Sequence, residues 1–289
     1  MNNLKIRLKR NIYTTTALIV CMMVSACNPW FGTETESVLS GYENGHEWVD
    51  LGLTSGLKWA TCNIGATTPE GCGEYFAWGE TTSKNNYTWE TYKFRTSGDG
   101  YNYNVKFSKY NTDSYYGPED NKTTLELTDD AAHVKWGGRW RMPTIYELDE
   151  LMIECEWTYI NYKGICGYDV KGPNGNRIFL PAAGYRHGAS VYNVGSDGRY
   201  WSSSLYESDP SYAYNLYFYS GYVDWGSYVS LRRSLGSRCL PVARARPKGG
   251  APGVLPEFIQ NKCTQNRLSA QRFTPEGLSK LSAFGGRSR

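Results

Sequence analysis

Histidine is nearly missing from this chain: His46, His133 and His187 are the only three in 289 residues, and they lie far apart. No Cys-x-x-Cys pair occurs and no cysteine has a histidine near it in sequence, so the ligand spacings of a zinc site are lacking. The same sparseness leaves no nucleophile beside a base, and neither catalysis nor a cofactor is expected. Long apolar runs are also lacking: beyond the first 26 residues nothing approaches the roughly 20 apolar residues that a spanning helix needs. An excess of base is missing once the ends are set aside. The whole chain carries +3, but residues 1–27 hold +4 and residues 244–289 hold +7, which leaves −8 for 28–243. An acidic domain is a poor match for phosphate backbones, so nucleic acid is not among the expected partners.

What is present begins at the N-terminus. Lys5, Arg7, Lys9 and Arg10 come without an acid, the mostly apolar stretch 12–23 follows, and Ser25 and Ala26 are small. This is the layout of an export signal with a cleavage site. Val24-Ser25-Ala26-Cys27 resembles the bacterial lipobox, which implies a diacylglycerol on Cys27 and a lipid-anchored, outer-membrane protein of the cell envelope. Residues 28–45 are polar with Gly and Ser and read as a flexible tether. Residues 46–243 read as one domain, and the Gly/Pro-rich, basic residues 244–289 as a disordered tail. Cys62 with Cys72 and Cys155 with Cys166 are the natural local disulfides of an oxidising compartment.

Inside the domain, short apolar runs such as Leu57-Lys58-Trp59-Ala60 alternate with Gly and Asn, the texture of short strands and turns. The stretch Thr81 to Lys122 has no apolar period and reads as surface loops with at most a strand near Val105 to Phe107. Two helices are signed by their caps. Asp129 and Asp130 precede Ala131 to Trp136, which ends at Gly137-Gly138; Thr144 and Glu147 have capping-box spacing ahead of Leu148, Leu151, Met152 and Cys155. Strands are expected near Arg177 to Leu180, Ala213 to Tyr219 and Ser237 to Val242. Two helices among many short strands predict an α+β fold.

Four segments in order carry a family resemblance: Val49-Asp50-Leu51-Gly52-Leu53 with Trp59-Ala60-Thr61-Cys62-Asn63-Ile64-Gly65; Trp136-Gly137-Gly138-Arg139-Trp140-Arg141-Met142-Pro143-Thr144; Leu180-Pro181-Ala182-Ala183-Gly184-Tyr185-Arg186; and Tyr200-Trp201-Ser202-Ser203-Ser204 leading to Arg238-Cys239. From residue 46 to 243 the chain resembles the Fibrobacter succinogenes major paralogous domain of Bacteroidetes lipoproteins. The resemblance implies a C-type-lectin-like fold, related to the formylglycine-generating sulfatase-modifying proteins, with two helices packed on a small antiparallel sheet and long loops. Many members carry Cys-Pro where this chain has Trp136-Gly137, so Cys239 lacks its usual partner. The Glu-Pro-Asn, Gln-Pro-Asp and Trp-Asn-Asp signatures of calcium-binding lectins are absent.

A narrower resemblance concerns the C-terminal stretch. Variable proteins of diversity-generating retroelements place mutable Asn codons there, which adenine mutagenesis turns into Tyr, Asp, Ser or Gly. Tyr206 to Tyr228 is largely those residues, although Trp225 does not arise that way. Eight tyrosines fall between Tyr200 and Tyr228. Alternation puts Leu216 and Phe218 on one face of a strand and Tyr217 and Tyr219 on the other; Tyr200, Trp201 and Tyr214 read as core. The expected ligand surface is Tyr206, Ser208, Asp209, Tyr212, Tyr217, Tyr219, Tyr222, Asp224, Trp225 and Tyr228, offered to a protein or glycan with the chemistry of antibody paratopes. The bland alternative is a set of cross-strand aromatic pairs that stabilise an exposed sheet. A structural subunit of an envelope assembly and, by analogy alone, a sulfatase-modifying-type enzyme are the other readings.

Overall fold

The structure, a computed structural model, describes residues 40–98, 104–224 and 231–244. The expected signal, lipid site Cys27 and the tether up to residue 39, with Trp225, Tyr228, Cys263 and residues from 245, lie outside the described residues.

The described chain opens with a hairpin. Strands β1 (Ser40–Glu43) and β2 (His46–Asp50) are joined by Asn44-Gly45. Both turn residues have positive φ, 49° and 83°, the conformation that lets a two-residue loop match the twist of its strands. The tether expected to run to Gly45 therefore gives way to strand at Ser40. Next come β3 (Leu57–Ala60) and the two-stranded pair β4 (Arg95–Ser97) and β5 (Lys106–Phe107).

Helix α1 (Ala131–Trp136) starts where its cap indicates. The Asp130 carboxylate accepts from the amides of Ala132 and His133 with one oxygen and from Met142 with the other. It thereby fastens the helix to β6 (Trp140–Arg141) and the loop that follows. Helix α2 (Ile145–Glu154) has the expected capping box of Thr144 and Glu147. Strands β7 (Glu156–Tyr162), β8 (Ile165–Lys171) and β9 (Arg177–Pro181) form an antiparallel meander. The chain then lays down β10 (Ala183–His187), β11 (Ser190–Val194), β12 (Asp197–Leu205), β13 (Tyr212–Tyr219), β14 (Tyr222–Asp224) and β15 (Leu231–Arg232), which make one six-stranded sheet. The last described strand, β16 (Val242–Arg244), enters the first sheet, whose order is β1-β2-β3-β16-β6.

The expectation of an α+β fold, with two helices packed on one small antiparallel sheet, is overturned, and the C-type-lectin-like arrangement goes with it. The described residues are mostly β, in four sheets, with two α-helices of six and ten residues. The caps located both helices correctly but said nothing of their share of the core. Most of that core comes from strands and from the segment 81–122 that lacked any apolar period.

That segment is not surface. Tyr87, Trp89, Tyr92, Phe94, Val105, Phe107, Tyr110 and Tyr116 are all buried in it. Their spacing is irregular because the backbone there runs through turns and single helical turns, where no fixed period selects the inward positions. Two of the polar handles are satisfied by backbone and carboxylate: the Tyr92 hydroxyl donates to the Trp78 carbonyl at 2.8 Å and the Tyr110 hydroxyl to Asp129 at 2.8 Å. At the centre lies Arg233, fully buried. Its guanidinium sits 4.0 Å from the Phe107 ring centre, 5.4 Å from Tyr92 and 5.5 Å from Trp78, and it donates to the Tyr110 carbonyl at 2.8 Å. Burial lowers its pKa.

Candidate functional site

The tyrosines that matter most are sorted by the register of the six-stranded sheet. Arg199 on β12 lies opposite Tyr217 on β13, Tyr217 opposite Asp224 on β14, and Tyr219 opposite Tyr222. On the other side Tyr185 of β10 pairs with Tyr192 of β11, and the parallel bridge of Gly184 with Gly198 brings Tyr185 beside Arg199. Side chains opposite one another in neighbouring strands are in contact range. A row results that crosses five strands: Tyr192, Tyr185, Arg199, Tyr217, and the pair Tyr219 and Tyr222.

The contacts in this row are specific. Tyr185 and Tyr192 stack with ring centres 5.4 Å apart, and Tyr219 stacks on Tyr222 at 4.9 Å. The Arg199 guanidinium lies 4.6 Å from the Tyr185 ring and 4.5 Å from Tyr217, so both rings grip one cation. Tyr217 meets Tyr219 at 5.8 Å. The Tyr222 hydroxyl donates to Asp224 at 2.5 Å; that bond, with burial, pushes its pKa up to about 12. Beneath the row, Asp197 is buried, held by the Asn193 amide at 2.8 Å and by Arg199 at 3.7 Å, and burial raises its pKa.

From Leu216 to Tyr219 the alternation of β13 behaves as expected, but Tyr214, expected in the core with Leu216, is only half-buried, because Ala213 and Asn215 take the buried places ahead of Leu216. Leu216 and Phe218 are buried, Tyr217 is half-buried and Tyr219 is 44% exposed; Tyr222 and Tyr192 stand at 40% and 42%. The other expected contact residues among the described ones do not join them. Tyr206, Ser208 and Asp209 sit on the turn between β12 and β13, and Tyr212 starts β13, five residues from Tyr217 or about 17 Å along the strand. Asp209 closes that turn by accepting from the Ser211 amide at 2.9 Å and hydroxyl at 2.6 Å. Tyr206 packs edge-on against Tyr214 at 5.3 Å. Among its described residues the continuous sequence stretch thus forms two separate places, with Tyr217, Tyr219, Tyr222 and Asp224 at the aromatic row.

Three members of the row escaped the sequence reading. Tyr185 falls in a family-resembling motif, Arg199 adjoins Tyr200 and Trp201, which read as core, and Tyr192 belongs to Ser190-Val191-Tyr192-Asn193-Val194. A hairpin signal was available for the last: Gly188, with φ 57°, stands between His187 and Ser190, which pair.

The cysteines correct a further expectation. Cys62, Cys72, Cys155, Cys166 and Cys239 are all free thiols. In the β7–β8 hairpin Glu156 pairs with Lys171 while Asn161 pairs with Cys166, so Cys155 and Cys166 lie at opposite ends of it. Cys62 donates to the Ala66 carbonyl. Cys239 is buried 3.7 Å from the Met142 sulfur, and burial pushes its pKa well up. Among the described residues no group of His, Cys, Asp and Glu is placed to hold a metal ion.

Arg139 and Arg141 are structural donors. Arg139 pairs with Glu43, and Arg141 makes a two-pronged bond to Glu147 at 2.7 and 2.5 Å.

A β-rich domain with an exposed row of stacked tyrosines is the class that fold and site define. The chain belongs to the Lcl C-terminal domain family, which it matches over residues 52–240, a family linked to Bacteroidetes and Fibrobacter lipoproteins. No curated protein and no solved structure matches it.

Proposed function

We propose that this chain is a lipoprotein of the outer membrane, anchored through a lipid on Cys27, whose domain presents the tyrosine row to a protein or glycan ligand. One observation carries the reading: five tyrosines and one arginine lie side by side on an open sheet face, three of the rings about two-fifths exposed. Tyrosine offers large contact area for little lost rotamer freedom, and here each ring is already braced by its neighbour, which lowers the ordering cost of binding. Cross-strand pairing alone would stabilise the sheet by a fraction of a kcal/mol per pair. That need is met equally by rings or β-branched residues that are better covered.

The finer resemblance, to the Fibrobacter succinogenes major paralogous domain, supports display at the envelope. Diversification of codons 206–228 by a retroelement is part of the same reading. It predicts a near-identical template repeat that differs only at adenines, beside a reverse transcriptase gene. Catalysis has no part in it.

The direct test displays the lipidated chain on liposomes and scores their adhesion to protein-coated and glycan-coated surfaces. Replacing Tyr217 and Tyr219 together by alanine should abolish adhesion at a cost in stability of about 1–2 kcal/mol, with the domain still folded at the assay temperature. Undiminished adhesion by that variant would remove the row from the function.

A further inference from the structure

Resting on the binding role just proposed, we infer that the partner of this face is a polypeptide, read through phenol hydroxyls and by main-chain pairing along β11, and is not a sugar stacked on the rings. A sugar uses an aromatic platform by laying its C–H face on an open ring face, where the π-electron density is. In this row every ring gives a face to a neighbour, so no ring is a free platform on both sides. Tyr185 has Arg199 at 4.6 Å and Tyr192 stacked at 5.4 Å; Tyr217 spends a face on Arg199 at 4.5 Å; Tyr219 and Tyr222 cover each other at 4.9 Å with planes 20° apart. Side chains stand upright on a sheet, so rings packed side by side offer edges and hydroxyls to whatever arrives. Edges and hydroxyls suit hydrogen-bonding groups such as peptide amides.

A second observation points the same way. Strand β11, which carries Tyr192, is the outermost strand of its sheet and pairs only with β10 among the described residues. All five of its residues, Ser190 to Val194, are exposed, and none is charged or proline. Natural edges usually carry such guards, because an open edge pairs readily with another chain. An extended peptide added to β11 would continue the sheet, with its alternate side chains meeting Tyr192 at the end of the row. Only a polypeptide can use the edge and the hydroxyls together. The −8 of residues 28–243 further disfavours a sulfated or uronic polysaccharide.

The test uses the full mature chain with two probes, a phage-displayed library of random dodecapeptides and a set of neutral hexasaccharides. Selected peptides are expected to bind, to weaken about tenfold or more in Tyr219→Phe/Tyr222→Phe, which keeps the rings and removes the hydroxyls, and to slow hydrogen exchange at the amides of Ser190 to Val194. Hexasaccharide binding that survives the phenylalanine variant and is lost in Tyr219→Ala/Tyr222→Ala would overturn the inference in favour of ring stacking. Peptide binding with no added protection along β11 would overturn its main-chain part. Should binding of both probes be indifferent to the alanine variant, the face itself is not the site, and the inference falls together with the reading beneath it.

Discussion

Two arginines in this protein are each held by aromatic rings, one in the interior and one at the surface. Arg233 is enclosed by Trp78, Tyr92 and Phe107 and anchored to the Tyr110 carbonyl. Arg199 is gripped between Tyr185 and Tyr217 with one side of the assembly open to water. The chemistry is the same and the consequence differs with solvent. Inside, the rings substitute for the water the cation has lost, so the cation serves as a pin for irregular chain. Outside, the cation serves the rings by fixing their spacing, and the rings remain available.

The interior half of this comparison predicts the largest effect. Arg233→Ala should cost about 3–5 kcal/mol in denaturant unfolding, since it opens a large cavity and strips a donor from buried carbonyls. Arg233→Met keeps the volume and removes the buried charge, so it should retain most of the stability. Equal losses in the two variants would mean that the charge, not the filling, holds the interior.

A third arginine sharpens the contrast. Arg141 is neutralised by Glu147, and removing one partner of such a buried pair by Glu147→Gln should cost about 3 kcal/mol. Burial pushes Glu147 up, but the bonds from Arg141 and Thr144 outweigh it and bring its pKa below the usual value. A depressed carboxylate stabilises fully above its unfolded pKa of about 4.3 and loses that contribution as pH falls through the lower folded value. Acid titration of unfolding should therefore show a loss below about pH 4.3 that disappears in Glu147→Gln.

At the surface the effects on stability shrink and those on binding grow. Arg199→Ala removes two cation–π contacts, each worth about 0.5–1 kcal/mol, and should lower stability by about 1–2 kcal/mol. By releasing Tyr185 and Tyr217 it should also abolish ligand capture, which would distinguish a spacer from a mere contact. Asp197→Asn should be the mildest change. Its folded pKa is raised, so the charged form is a burden above that pKa that fades as pH falls; the neutral amide should leave thermal unfolding unchanged or slightly higher.

Much of the local structure was legible where one residue dictates one conformation. Asp130, Thr144 with Glu147, and the alternation at 216–219 each named their element correctly. Asn44-Gly45 was equally clear as a turn but lay inside a stretch read for its polar composition. The interior of 81–122 was hidden for a physical reason: aromatic residues on turns reach the core by length of side chain, not by period. The tyrosine row was hidden for another. Tyr185, Tyr192 and Arg199 come from three strands, and only sheet register, a long-range property, puts them beside Tyr217. The length of β13 separates Tyr206 and Tyr212 from Tyr217 and Tyr219.

The first sheet also has a use as architecture. Its order, β1-β2-β3-β16-β6, puts the first and last described strands three places apart, about 14 Å at ordinary strand spacing. A module whose entry and exit lie so close behaves as a cassette: it can be spliced into a loop of a host protein without prying the host apart. The tyrosine row, built on a different sheet, would travel with it as a portable recognition patch.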